Sequence, residues 1–355
     1  MSKKVEVGLD LAPYTIHIAD TYEGMSDCIK GLGEYSKIAV ITDTNVEKFQ
    51  LQNFLDALGT EAETYAFKAG ETNKNIYTAI DIYRFLKEKK IDRKAIIVAL
   101  GGGVVGDMVG LVAATYNRGG ARFVQVPTTT LAQADSSVGG KVGVDLDEAK
   151  NLVGAFYQPA FVWINVSTLK TLPEREFWSG FAETIKHGII LDREFFDFIR
   201  ENMSKIQLKD PEVLQVIAEK NCRIKSSVVV QDEKDTLGKR AMLNFGHTFG
   251  HAIESASGYT LLHGECVAIG MVCAYKMAVE LGIATQDDFM KVKETLEAAE
   301  LPTSFKGIDT DEIYRLMFTD KKAEGGKLNF ILPVGIGRVL MRTIEDEELI
   351  KRSLR

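Results

Sequence analysis

The sequence predicts an α/β domain with a parallel sheet (1–167), followed by a mostly α-helical domain (168–355). Three observations carry this reading. Short β-branched runs alternate with helical patterns up to about residue 165, a glycine-rich turn directly follows one of those runs, and beyond residue 170 the apolar spacing becomes helical. At 355 residues the chain is also long for a single core, which favours two domains.

Lys37-Ile-Ala-Val-Ile-Thr-Asp43 and Ala95-Ile-Ile-Val-Ala-Leu100 read as buried parallel strands, because nearly every position is apolar. Arg122-Phe-Val-Gln-Val126 and Phe161-Val-Trp-Ile-Asn165 have the same texture. Such a sheet takes its ligands at the carboxyl ends of its strands. Thr171-Leu-Pro-Glu174 has the form of a capping box with proline in the first turn, so a helix is expected from there. Thr285-Gln-Asp-Asp288 is another acidic helix start, followed by Phe289, Val292 and Leu296 at helical spacing. A hairpin is expected to close the chain, Leu328 to Leu332 against Arg338 to Met341, around Pro333-Val-Gly-Ile-Gly337.

A formal net charge of −7 argues against general nucleic-acid binding, while leaving room for a local basic pocket. No apolar run approaches the roughly 18 residues that suggest a membrane span. Met1-Ser-Lys-Lys-Val has no apolar signal region, so a cytoplasmic protein is expected. Cys28, Cys222, Cys266 and Cys273 form no CxxC pair and read as free thiols.

Gly101-Gly-Gly-Val-Val-Gly106-Asp107 fits G-x-G-x-x-G immediately after the strand ending at Leu100. Glycines let the backbone approach a pyrophosphate, and the helix that follows offers N–H groups to the anion. Alone the motif suits an unliganded tight turn equally well; the strand before it and helix after it favour a nucleotide. The acidic residue usual about 20 residues downstream is missing. Asp43, ending an earlier strand, can take the ribose hydroxyls instead.

Three of the five histidines lie between His247 and His263. His247 and His251 share a helical face at i and i+4, and His263 follows in Leu262-His263-Gly264-Glu265. Imidazoles with a carboxylate commonly form a catalytic metal site that keeps one position open. Spacing alone would pair His247 with His251; ordinary core histidines are the bland alternative, which the clustering weakens.

These stretches, with several others, resemble the 3-dehydroquinate synthases, a family of sugar phosphate cyclases. The resemblance runs from about Asp43 to Pro333. It rests on Gln125-Val-Pro-Thr-Thr129, Ala132-Gln-Ala-Asp135-Ser-Ser-Val-Gly-Gly-Lys141, Lys150-Asn-Leu-Val-Gly-Ala-Phe-Tyr-Gln-Pro159 and Ala182-Glu-Thr-Ile-Lys186. Arg240-Ala-Met-Leu-Asn244-Phe-Gly-His247-Thr-Phe-Gly-His251, His263-Gly-Glu265 and Asp320-Lys-Lys322 continue it. It implies an enzyme using NAD and a divalent metal, zinc or cobalt. The implied substrate is 3-deoxy-D-arabino-heptulosonate 7-phosphate. The implied course is oxidation at C5, loss of phosphate from C7, reduction, ring opening and aldol closure.

The family pattern places the metal on Glu183, His247 and His263, and sets His251 beside the substrate phosphate. Lys141, Asn151, Lys186 and His251 are the implied catalytic residues. Arg118, Lys225, Arg240, Asn244 and Lys321 are implied substrate contacts, with Lys322 equally well placed to replace Lys321. Arg118 is implied to come from a neighbouring subunit, hence a homodimer. The implied NAD contacts are Asp43, Asn45, Glu71, Lys74, Gly103, Val104, Asp107, Thr128, Thr129, Asp135, Lys141, Lys150 and Thr168.

The sequence departs from the pattern in three places. Gly119-Gly-Ala-Arg122 and the stretch from Glu233 to Arg240 each carry one extra residue, and Asp145-Leu-Asp-Glu-Ala149 replaces a more usual stretch before Lys150. None removes a ligand. The nearest rivals are another cyclase or a metal-dependent polyol dehydrogenase. In valiolone-forming cyclases the positions of Asn244 and His251 are typically aspartate and proline, so both residues favour the dehydroquinate synthases.

Overall fold

The structure is a computed structural model and describes residues 3–147, 149–318 and 327–355. Lys321 and Lys322 lie outside the described residues. The strands are β1 (Lys3–Val7), β2 (Tyr14–Ala19), β3 (Ile38–Asp43), β4 (Glu63–Phe67), β5 (Ile96–Gly101), β6 (Arg122–Pro127), β7 (Lys141–Leu146), β8 (Ala149–Phe156), β9 (Phe161–Asn165), β10 (Leu328–Gly335) and β11 (Arg338–Ile344). The first helices are α1 (Met25–Gly31), α2 (Thr44–Val46), α3 (Gln52–Leu58), α4 (Ile76–Glu88), α5 (Gly103–Thr115), α6 (Glu174–Leu191) and α7 (Arg193–Glu201). Then come α8 (Met203–Gln207), α9 (Pro211–Gln231), α10 (His247–Ala256), α11 (His263–Glu280), α12 (Gln286–Ala298), α13 (Thr310–Met317) and α14 (Glu347–Leu354).

Two compact units emerge, Met1–Leu172 with Lys209–Lys234, and Pro173–Leu208 with Asp235–Arg355. The division expected at residue 167 treats everything beyond it as one block, whereas α9 packs with the first unit. Its Glu219 pairs with Lys3 at 2.8 Å, and Cys222 Sγ lies 3.8 Å from the Gln133 carbonyl. Helical periodicity shows that such a segment buries a face, but not which unit it buries it against.

In the first unit a seven-stranded sheet runs β1-β2-β9-β6-β5-β3-β4. Every neighbouring pair is parallel except β1 with β2. Side chains alternate between two cores. Ala39, Ile41, Ile97 and Ala99 join α4 and α5 through Ile82, Phe85, Met108 and Val109 on one face. Ile38, Val40, Ile96 and Val98 meet Met25, Ile29, Phe54 and Leu58 on the other. Burial on both faces explains why β3 and β5 are legible as unbroken apolar runs. Strand β3 has β4 on one side and β5 on the other, so the chain reverses its direction of travel across the sheet there. The carboxyl ends of β3 and β5 therefore flank a topological switch point, where open α/β sheets bind ligands.

The β7–β8 hairpin stands outside that sheet and was not expected. Its two strands face each other through Gly143 and Gly154, where a Cβ would come within 2.8 Å of the Val153 oxygen or 2.5 Å of the Val142 oxygen. Glycines at these positions erase the alternation that betrays a half-buried strand.

In the second unit α6, α10 and α11 meet at glycines. A Cβ on Gly264 would lie 1.7 Å from the Ser179 carbonyl oxygen of α6, and one on Gly270 2.0 Å from the Gly246 oxygen. On Gly250 it would sit 3.1 Å from the Cys266 oxygen. Backbone thus touches backbone where α11 crosses its neighbours.

Several expected boundaries shift. Helix α6 begins at Glu174 with Pro173 at its N-cap and no side-chain cap, so Thr171 is not a capping residue. Thr171 instead ends a 3₁₀ turn, Val166–Thr171, and donates its hydroxyl to the Thr168 carbonyl at 2.9 Å. Thr285 does cap α12, accepting from the Asp288 N–H at 3.1 Å. Strands β10 and β11 pair as expected, with Leu332 opposite Leu340. The chain does not close on that hairpin: α14 follows, capped by Asp346 and burying Leu349 and Ile350. Eight residues are too few for periodicity to announce a helix. Among the described residues no helix is long and apolar enough to cross a membrane, and no disulfide joins the four cysteines.

The glycine contacts predict a sharp asymmetry. Gly264→Ala should destabilise the second unit by about 1–3 kcal/mol or more, because rigid backbone has to move. Gly8→Ala, whose Cβ would meet nothing within 4 Å, should change stability by less than about 0.5 kcal/mol. Urea denaturation followed by circular dichroism checks this; equal midpoints for the two variants would contradict it.

Candidate active site

At the switch point Gly102 caps α5 without a side-chain bond, leaving the helix start to its own backbone groups. Gly103 and Val104 open this helix, and the N–H of Thr128, after β6, is fixed to the Gly101 carbonyl at 2.9 Å. Asp43 ends β3, where its Oδ1 accepts from the N–H groups of Asn45 and Val46 at 2.9 and 3.0 Å. Burial raises its pKa, and those two bonds oppose the rise. The Thr128 hydroxyl is buried with no protein partner. Thr129 caps the next turn, accepting from Ala132 N–H at 3.2 Å. An uncapped helix start, an orphaned buried hydroxyl and an acidic strand end suit the pyrophosphate and ribose of a dinucleotide.

Lys74 binds this region together. Its buried Nζ donates to Asp107 Oδ2 at 2.6 Å and to Asn151 Oδ1 at 2.5 Å. Burial opposes both charges. It raises the Asp107 pKa, and on Lys74 it is outweighed by Asp107, Glu71 and Asp145, so the ammonium titrates above its ordinary range. Asn151 sits in the left-handed region, φ 52°, and its N–H donates to Asp145 Oδ1 at 2.7 Å. The expected cofactor residues Glu71, Lys74 and Asp107 thus adjoin the expected catalytic Asn151. Lys141 and Lys150 are exposed at the starts of β7 and β8. Asp135 pairs with Lys225 of α9 at 2.8 Å, so a cofactor candidate and a substrate candidate touch. The Thr168 hydroxyl accepts from the Gln133 amide at 3.1 Å. Arg118 is not brought to this group. It lies exposed, φ 64°, just beyond the far end of α5, a 13-residue helix spanning about 20 Å from Gly103.

The second unit gathers the histidines. Glu183 Oε1 lies 3.5 Å from His247 Nε2 and 3.6 Å from His263 Nε2. It is buried and has no hydrogen-bond donor. One ligand atom each from Glu183, His247 and His263 falls within 4.8 Å of the others. Ligands about 2.1 Å from a tetrahedral zinc stand ~3.4 Å apart, so the separations and the orphaned oxygen fit a divalent ion. His251 adjoins, its ring 5.2 Å from that of His247 and 5.8 Å from that of His263, but contributes no atom to the three-donor group. The tempting His247–His251 pair is thus a neighbour relation along one helix face.

Each donor is locally fixed. Glu183 Oε2 accepts from buried Lys186 one turn along α6. Burial disfavours the Glu183 charge, yet Lys186, His247 and His263 together hold its carboxyl well below the usual range. His247 is lowered well below the imidazole range, by burial first and Lys186 next. His263 is opposed by burial but raised to about 9 by Glu183 and Glu254. His247 Nδ1 lies 3.1 Å from the Phe245 carbonyl. His263 opens α11, where Glu265 accepts from Leu262 N–H at 2.8 Å and from Nε and Nη2 of Arg175, both at 2.7 Å. Arg240 is buried in the 3₁₀ turn Lys239–Asn244 that leads into α10, and Asn244 ends that turn. Sequence reasoning passed over Gln133, which ties together the Pro127, Asn165 and Thr168 ends, and Glu254, beside His263. Nothing in the sequence marks Gln133. Glu254, at i+7 from His247, was open to discovery by helical spacing.

The chain joins an α/β unit with a switch point to a helical unit whose Glu183, His247 and His263 could hold a metal, an architecture that sugar phosphate cyclases share. Family models described as "3-dehydroquinate synthase N-terminal" and "3-dehydroquinate synthase C-terminal" match residues 64–179 and 180–323. The 3-dehydroquinate synthase of Acetivibrio thermocellus is 52% identical over 99% of this chain and 98% of its own length. That of Ruminiclostridium cellulolyticum is 48% identical over 98% and 97%. A 2-deoxy-scyllo-inosose synthase solved with carbaglucose-6-phosphate, NAD⁺ and Co²⁺ superposes with a TM-score of 0.89, 25% identity and 99% coverage of both chains. The 2-epi-5-epi-valiolone synthase of Streptomyces hygroscopicus, with NAD⁺ and Zn²⁺, has the same fold at a TM-score of 0.87, 24% identity, and coverage of 98% of this chain and 97% of its own. The chain belongs to the 3-dehydroquinate synthase family.

The Lys74–Asp107 contact makes its own prediction. Lys74→Met should destabilise the protein by about 3–5 kcal/mol, since it leaves a buried carboxylate without its cation. Adding Asp107→Asn should recover part of that loss. Thermal unfolding of the single and double variants tests it, and additive losses in the double variant would refute the coupling.

Proposed function

We propose that the chain converts 3-deoxy-D-arabino-heptulosonate 7-phosphate to 3-dehydroquinate and phosphate, as a carbon–oxygen lyase of the shikimate pathway that depends on NAD and a divalent metal. The observation that carries the metal reading is the meeting of Glu183 Oε1 with two imidazole nitrogens at 3.5 and 3.6 Å, the oxygen being buried and hydrogen-bonded to neither. Family membership supplies the reaction.

Glu183, His247 and His263 would hold zinc or cobalt, and the β3–β5 crevice would hold the dinucleotide. When bound, the metal offers Lewis acidity to a substrate oxygen, and the dinucleotide a reversible hydride acceptor. Other residues bind and orient. The backbone of Gly103 and Val104 would hold the pyrophosphate and Asp43 the ribose, with Asn45, Glu71, Lys74, Asp107, Thr128, Thr129, Asp135, Lys150 and Thr168 as further contacts. Lys186 places a buried ammonium against the carboxylate ligand, and Lys141 stabilises negative charge developing on substrate oxygen. Asn151 and His251 orient the substrate phosphate, Lys225, Arg240 and Lys321 or Lys322 neutralise its anionic groups, and Asn244 donates a hydrogen bond to them. Arg118, exposed beyond the end of α5 opposite Gly103, would serve a neighbouring subunit, which makes the working form a homodimer. Free thiols at all four cysteines accord with a cytoplasmic setting.

Phosphate release from the heptulosonate phosphate should require added NAD, stop with a strong chelator, return with Zn²⁺ or Co²⁺, and produce no net NADH. Steady NADH accumulation would mean a dehydrogenase instead. His247→Ala should lose tight metal binding. His251→Ala should keep the metal while turnover falls on the order of 10²-fold through phosphate misplacement. Metal analysis of both variants decides this; a metal-free His251→Ala that left His247→Ala fully loaded would reverse the ligand assignment.

A further inference from the structure

The two metal-facing imidazoles are held from behind by different groups. His247 Nδ1 faces a main-chain carbonyl, that of Phe245, at 3.1 Å. His263 Nδ1 faces a carboxylate, Glu254 Oε2, at 3.5 Å, the outer edge of hydrogen-bond distance. Glu254 is 6% exposed and lies on α10, on the face that carries His247 and His251 at seven and three residues' remove. Its carbonyl oxygen accepts from Tyr259 N–H at 3.1 Å and from the Ser257 hydroxyl at 2.8 Å. The last turn of α10 is thereby tied to the segment that leads to His263.

We propose that Glu254 is a positioning residue for the metal centre: its carboxylate accepts a hydrogen bond from His263 Nδ1–H, fixing the tautomer and ring plane that aim Nε2 at the ion. The proposal rests on the reading of Glu183, His247 and His263 as metal ligands. A carbonyl behind one histidine orients it as a neutral dipole. A carboxylate behind the other also makes that imidazole a stronger donor, because negative charge on the far side raises electron density at Nε2. The two ligands are therefore unequal. His263, at the start of its helix and 31% exposed in its side chain, has less packing to hold its ring than His247 at 11%. The carboxylate supplies the restraint that packing does not.

The test uses full-length protein stripped of metal and titrated with Co²⁺ against a competing chelator, with the visible d–d absorption recorded at saturation. Glu254→Ala should weaken Co²⁺ binding between about 10- and 100-fold and alter the d–d bands. Glu254→Gln keeps an acceptor oxygen for Nδ1–H, so it should recover the band shape and most of the affinity. Dinucleotide affinity should be the same in all three proteins, because Asp43 and Gly103 belong to the other compact unit. Parent-like affinity and bands in Glu254→Ala would overturn the proposal, as would Glu254→Gln behaving no better than Glu254→Ala while its melting temperature matched the parent. His263→Ala separates this from the underlying reading: if it too bound Co²⁺ like the parent, the ligand assignment itself would be wrong. If only His263→Ala lost the ion, the ligands would stand and the role of Glu254 would fall.

Discussion

The centre in the second unit depends on main chain touching main chain. Glu183, His247 and His263 lie on three helices, and a side chain as short as a methyl at Gly264 or Gly270 would collide with a carbonyl oxygen. Helices packed through ordinary side chains stand 8–10 Å apart. Glycine at the crossings permits closer approach, and a carboxylate and two imidazoles meet there within 4.8 Å of one another. The cost is conformational, since glycine in a helix is about 1 kcal/mol less favourable than alanine. Packing of α6, α10 and α11 offsets it.

Charge is arranged with equal care. Glu183 is almost wholly buried, a position an isolated carboxylate does not tolerate. Lys186 answers one oxygen and leaves the other turned toward the imidazoles. A divalent ion beside this pair would leave the site with net positive charge, even with Glu254 counted, inside a protein whose net charge is −7. That local sign suits a substrate bearing both a phosphate and a carboxylate, and the acidic exterior disfavours indiscriminate anion binding. The first unit solves a matching problem with Lys74, which neutralises Asp107 and at the same time holds the side chain of Asn151.

Much of this was legible in the sequence, for reasons that differ by element. Strands β3, β5 and β9 announce themselves because burial on both faces demands long apolar runs, and β6 nearly does so around Gln125. The glycine turn after β5 stands out because a strand precedes it and a helix follows it, and the histidine cluster because three of the five histidines fall within it. Hairpin β7–β8 stayed hidden because Gly143 and Gly154 replace the side chains whose alternation would have marked it. The placement of α9 with the first unit was invisible, since an amphipathic helix does not encode its partner. His247 and His251 show the limit of spacing: i and i+4 puts two rings on one face, but which of them meets Glu183 depends on where α6 and α11 cross. Family motifs, rather than periodicity, pointed to His263.

Crystals grown with Zn²⁺ and NAD would test the central claim directly, through an anomalous-difference map collected at the zinc edge. The account predicts one strong peak in the second unit, within about 2.0–2.2 Å of Glu183 Oε1, His247 Nε2 and His263 Nε2, with His251 outside bonding distance. A peak bonded to His251, or none beside Glu183, would contradict it.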